Sequence, residues 1–136
     1  MSKSEQTLRR VELFADLSPR QLRRLAGNLR ERSFAAGTTV VREGEMSGVG
    51  FFVVGSGVAA VTASGREIGK LRAGDHFGEL ALIADRERTA TVSAETELVC
   101  LELPVWDFRE LVRGDGELGW KLLEHVVGLL FDERAG

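Results

Sequence analysis

The chain has 136 residues, 43% of them apolar and 29% charged, with a formal net charge of −3, a balance that fits one globular domain with its own core. No run approaches the ~18 continuous apolar residues of a membrane-spanning helix, and the polar start MSKSEQ lacks a signal peptide's apolar centre, so no membrane contact and a cytoplasmic location are expected. Residues 1–35 carry eight Lys/Arg against four Asp/Glu, and the rest carry ten against seventeen; solvated helix faces explain the basic end as well as a contact surface does.

Residues 5–13 (EQTLRRVEL) read as a short amphipathic helix with Ser4 at its N-cap. The next helix is better signed: Ser18 at the N-cap, Pro19 at the first helical position and Gln21 three residues on form a capping box, with Leu17 and Leu22 as its staple. Leu22, Leu25, Ala26 and Leu29 mark the buried stripe. From about residue 30 the period shortens. The runs RSF, TTVVRE, GFFVV, VAAVTA and REIGKL follow one another, separated by turn signals at Ala36-Gly37, Gly44, Gly55-Ser56-Gly57 and Ser64-Gly65. Short strands with glycine turns imply an antiparallel sandwich or barrel. ELALIA (79–84) looks like one or two helical turns inserted among the strands. Two more strands follow, roughly 88–94 and 97–103, the second holding Cys100, whose solitary thiol excludes a disulfide framework and reads as core. Pro104 opens another helix, Gly114 and Gly116 break it, and 117–133 form a longer closing helix.

The chemistry is concentrated in AGDHFGELALIADRERTATV, residues 73–92. Gly78 lets backbone approach a ligand and leads into a short helix whose first N–H groups lack intrahelical partners, which favours an anion. Arg88 lies nine residues on, placed to fork onto two oxygens of that anion. Glu79 beside an anion makes sense when the ligand also presents hydroxyls, since a carboxylate accepts from a ribose 2′-OH. An anion with a sugar hydroxyl is a nucleotide or a sugar phosphate.

FGELALIADRERTATV resembles the phosphate-binding cassette of the cyclic-nucleotide-binding domain, the family of protein kinase A regulatory subunits, cyclic-nucleotide-gated channels and catabolite activator protein. RRVELFADLSPRQLRRLA resembles the family's helical lead-in, FAAGTTVVREGE and GFFVVGSGVAAV its first jelly-roll strands, and PVWDFRELV the helix after the roll. The resemblance implies a mainly β fold with flanking helices: an antiparallel double-stranded β-helix (jelly roll, or β-roll) preceded by helices and followed by hinge and lid helices. A single domain over 1–136 is expected, divided as 1–30, 31–103 and 104–136. The resemblance gives Glu79 to the ribose 2′-OH and Arg88 to the exocyclic phosphate oxygens. Gly78, Leu80 and Ala81 would add backbone contacts, Thr89 and Ala90 would complete the cradle, and Val61 and Ile68 would flank the base. Glu87 departs from the family, where many members have proline, and so does Gly116.

By the same resemblance the module binds cAMP or cGMP without a further cofactor. It converts binding into movement of the hinge near 104–114 and of the closing helix, whose last turns around Leu130, Phe131 and Arg134 would form the lid. That helix is apolar on more than one side, which predicts a homodimer contact. Catabolite-activator relatives continue into a helix-turn-helix that these 136 residues lack, so signalling through a protein effector is expected rather than direct DNA binding. The alternatives are a β-roll that has lost its ligand and serves as an interaction module, and a piece of a larger nucleotide-regulated protein. Glu79 and Arg88 also read as a structural ion pair, and Thr89 as an ordinary strand threonine. His76 and His125 stand apart from any second metal ligand, which tells against a cupin-like enzyme. Trp106, Phe108 and Trp120 read as core aromatics. No catalytic constellation and no P-loop string occurs, so an enzyme is not expected.

Overall fold

The computed structural model describes residues 2–46, 50–78, 82 and 87–135, the side chains of 129, 130 and 132–135 excepted. It divides into two compact units, Leu29–Val105 and a helical unit of Met1–Asn28 with Trp106–Gly136.

Among the described residues the first unit holds eight strands in two four-stranded sheets. They are β1 (Arg30–Phe34), β2 (Thr39–Val41), β3 (Gly50–Ser56), β4 (Ala59–Ala63), β5 (Arg66–Leu71), β6 (His76–Phe77), β7 (Thr91–Ala94) and β8 (Leu98–Pro104). One sheet runs β1-β8-β3-β6 and the other β2-β7-β4-β5, and every pairing is antiparallel. The order, with early strands beside late ones, is the double-wound antiparallel β-roll expected from the Gly-punctuated runs. Period-two alternation turns Phe34, Phe52, Val54, Leu98 and Cys100 of one sheet and Val41, Ala59, Val92 and Ala94 of the other into a shared core. Phe52 stacks on Phe77 with centroids 5.0 Å apart. Cys100 is buried as expected, and desolvation pushes its thiol up to about 11.

The helical unit contains α1 (Lys3–Arg9), a 3-10 turn (Glu12–Phe14), α2 (Pro19–Ala26), α3 (Val105–Arg113, apart from Val105 itself) and α4 (Gly116–Ala135). The capping box of α2 forms as read: the Gln21 amide donates to Ser18 Oγ (3.2 Å), and the Ser18 amide donates to Gln21 Oε1 (2.9 Å). Lys121 Nζ also donates to Gln21 Oε1, at 3.2 Å, which accounts for a glutamine buried in an apolar stripe. Asp115 Oδ1 caps α4 by accepting from the Leu118 amide at 3.1 Å. Leu8, Val11, Phe14, Leu22, Leu25, Phe108, Leu118 and Leu122 are buried. Among the described residues no helix is long and apolar enough to cross a membrane.

Several local expectations are corrected. Ser2, not Ser4, caps α1, accepting from the Glu5 amide at 3.1 Å; Ser2-x-x-Glu5 is the better capping string. The strand expected from residue 88 begins at Thr91, and β6 is a two-residue strand too short to show a period. Trp106 and Trp120 are not core aromatics: they are 69% and 63% exposed. Burial on α3 follows Val105 and Phe108, and on α4 Leu118 and Leu122. Each tryptophan lies roughly 100° or more around the helix from those stripes.

Candidate functional site

Of the expected site residues that the structure describes, Gly78 and Arg88 meet within the β unit. Gly78 follows β6 with φ +86, a conformation open to glycine and costly to other residues. A methyl group at Gly78 would lie 2.6 Å from Arg88 Nη1 and 3.1 Å from the Gly50 carbonyl oxygen, so the guanidinium rests directly on the Gly78 backbone. Arg88 Nη2 donates to Gly50 O at 3.0 Å. Gly50 is itself forced: a Cβ there would meet Leu103 O at 2.5 Å, so only glycine lets β3 approach β8 while its carbonyl turns to the arginine.

The backbone of Arg88 is equally fixed. Its amide donates to Glu45 O (2.8 Å), its carbonyl accepts from the Gly44 amide (2.9 Å), and Glu87 bridges Met46. The side chain is half-buried, and desolvation lowers its pKa, though a guanidinium stays charged at neutral pH. Among the described residues it forms no ion pair. A partly desolvated cation held by neutral carbonyl and backbone groups, with no carboxylate partner among the described residues, has donors that suit an anion.

Thr89 is exposed in the bend after Arg88, and Ala90 is half-buried. Val61 is partly covered by the inter-sheet core and pairs with Gly69 and Val92. Ile68 occupies a bulge, since Val61 pairs with Gly69 and Thr62 with Glu67, and it is 63% exposed. Glu79, Leu80 and Ala81 lie outside the described residues, as do the side chains of Leu130 and Arg134; Phe131 is exposed. His76 lies against Phe51, centroids 5.7 Å apart, and among the described residues no three His, Cys, Asp or Glu side chains gather as a metal site. The Gly50 carbonyl was missed from sequence; its only signal is a glycine heading an otherwise apolar strand.

Residues 31–115 match the family model of the cyclic nucleotide-binding domain. The chain belongs to that family. This cyclic nucleotide-binding domain is 38% identical over 107 residues to a cAMP-dependent protein kinase regulatory subunit of Yarrowia lipolytica, covering 77% of this chain and 28% of the relative. It is 36% identical over 129 residues to a cGMP-dependent protein kinase of Toxoplasma gondii, covering 95% of this chain and 11% of the kinase. The chain thus spans little more than a quarter, or about a ninth, of these curated relatives. Among solved structures it superposes on the N-terminal domain of a transcriptional regulator from Streptomyces coelicolor A3(2) with a TM-score of 0.84, at 30% identity, covering 96% of each chain. The matched span contains Arg88, Gly78 and Gly50.

Proposed function

We propose that the cradle of Gly50, Gly78 and Arg88 takes the cyclic phosphate of cAMP or cGMP. The observation that carries this is the half-buried guanidinium of Arg88, laid on a glycine backbone and without an ion-pair partner among the described residues. In this reading Glu79 accepts from the ribose 2′-OH. Gly78, Leu80, Ala81 and Ala90 supply backbone contacts, Thr89 adds its hydroxyl, and Val61 and Ile68 flank the base. The named activities of the relatives, one cAMP-dependent and one cGMP-dependent, support a pocket that takes either ligand. Calorimetric titration tests it: Arg88→Ala loses about ten- to a hundredfold in affinity, the worth of a charge-assisted hydrogen bond of about 1.5–3 kcal/mol. Unchanged affinity in a folded Arg88→Ala protein refutes the role.

The module acts as one non-enzymatic, cytoplasmic sensor that shifts its C-terminal helices to regulate a protein effector, without contacting DNA itself. It pairs with a second copy through α4. Trp120, Leu123, Val127 and Phe131 share one face of that helix and are 63%, 52%, 39% and 65% exposed, more apolar surface than a solvated helix normally carries. Light scattering at high micromolar concentration reads a dimer; a monomer with and without nucleotide removes the pairing.

A further inference from the structure

The turn Arg42–Glu45, closed by the Glu45 amide on Arg42 O at 3.2 Å, is the segment that grips the backbone of Arg88. It carries an exposed glutamate, Glu43, whose hydrogen bonds reach two other parts of the β unit. Glu43 Oε1 accepts from the Ser64 amide at 2.8 Å. The Glu43 amide donates to Thr91 Oγ1 at 2.9 Å. Ser64 and Gly65 are the two central residues of the β4–β5 hairpin, with φ 52 and 78, and Ala63 pairs with Arg66 across them. Two successive positive φ values suit a tight two-residue hairpin, but serine adopts that conformation at a cost. Ser64 is the only non-glycine with positive φ among the described residues. Its amide is therefore held by a side chain from another loop at a position where the backbone is under strain.

These contacts form one chain of bonds. The tip of the hairpin that carries Val61 and Ile68 is tied through Glu43 to the turn that bonds the backbone of Arg88, and through Thr91 to the start of the strand that follows Arg88. We propose that Glu43 is a positioning residue that couples the β4–β5 hairpin to Arg88, so that base-side and phosphate-side halves of the pocket are set together. The inference rests on the reading of Arg88 as the phosphate ligand. A carboxylate suits the task because its oxygen is an acceptor only, and a glutamine amide oxygen can replace it there.

Two measurements on the whole chain test the coupling. In the ligand-free protein, Glu43→Ala moves the amide resonances of Gly44, Ser64 and Arg88, and Glu43→Gln leaves them near their wild-type positions. With cAMP as titrant, Glu43→Ala weakens binding by about five- to tenfold, the scale of one hydrogen bond, and Glu43→Gln restores affinity to within about twofold. The loss from Glu43→Ala shrinks to under about twofold when Arg88 is already Lys, because the two residues then no longer act as a unit. An unmoved Arg88 resonance in Glu43→Ala overturns the proposal whether or not a nucleotide binds. An equal loss in both Arg88 backgrounds overturns it as well. A wild-type chain that binds neither cAMP nor cGMP sinks the functional reading, and the resonances then decide by themselves whether Glu43 sets the position of Arg88.

Discussion

Replacing Gly78 by alanine separates the two jobs this glycine does. At φ +86 an alanine costs about 1–2 kcal/mol of backbone strain. Its methyl also arrives 2.6 Å from Arg88 Nη1 and 3.1 Å from Gly50 O, well inside the ~3.5 Å at which nonbonded contacts become favourable. The carbonyl is fixed in β3, so the guanidinium at the end of its flexible side chain gives way, by about 1 Å. That shift breaks the 3.0 Å bond to Gly50 O and moves the fork off its phosphate position. Losing one charge-assisted hydrogen bond of about 1.5–3 kcal/mol lowers nucleotide affinity about ten- to a hundredfold. Stability falls by about 2.5–5 kcal/mol, strain and the lost carbonyl bond together. In an Arg88→Ala background no guanidinium stands in the way, and only the strain of about 1–2 kcal/mol remains. Urea unfolding of the four proteins and calorimetry with cAMP and cGMP on wild type and Gly78→Ala supply the numbers. Affinity within threefold of wild type, or an equal stability cost in both backgrounds, refutes the account.

Burial holds the Cys100 thiol near 11, above the ~8.5 of a thiol in an unfolded chain, so the folded state keeps a proton that the unfolded state gives up. The resulting stabilisation is whole below about pH 8.5 and is lost as pH rises towards 11, by roughly 3 kcal/mol. Unfolding free energies of wild type and Cys100→Ala across that window should diverge in slope by up to one proton, and parallel curves would contradict the burial of an ionisable thiol. In the proposed site the exposed hydroxyl of Thr89 would reach the phosphate with either nucleotide and, when guanine is syn, its 2-amino group as well. Paired titrations should therefore show Thr89→Ala losing cGMP affinity more than cAMP affinity, by at most about tenfold for one neutral hydrogen bond; equal losses would confine Thr89 to the phosphate.

The features legible in the sequence are those with a local cause. Ser18, Pro19 and Gln21 announce α2 because a capping box is complete within four residues, and the short runs between turns at Gly37, Gly44, Gly57 and Gly65 announce an antiparallel sandwich or barrel. At the chain start Ser2 and Ser4 compete for one cap, and only the partner at Glu5 distinguishes them. Residue type alone points Trp106 and Trp120 to the core, whereas the phase of each helix decides burial. Spacing and resemblance point to Arg88 and Gly78, but not to the groups that hold them. Gly50 contributes a carbonyl, which every residue has, and Glu43 acts through an amide twenty-one positions away. Contacts of that kind carry no composition and no period.

Both tryptophans of the chain stand on α3 and α4, exposed to water, and the chain has no tyrosine. The whole β unit, with Gly50, Gly78 and Arg88, is therefore dark under excitation of indole. Emission reports the C-terminal helices alone, and Arg109, stacked 5.7 Å from the ring of Trp106, gives one of the two fluorophores a charged neighbour whose departure would change its colour. A spectral shift on titration would report a change in the surroundings of those helices, read without attaching a single label.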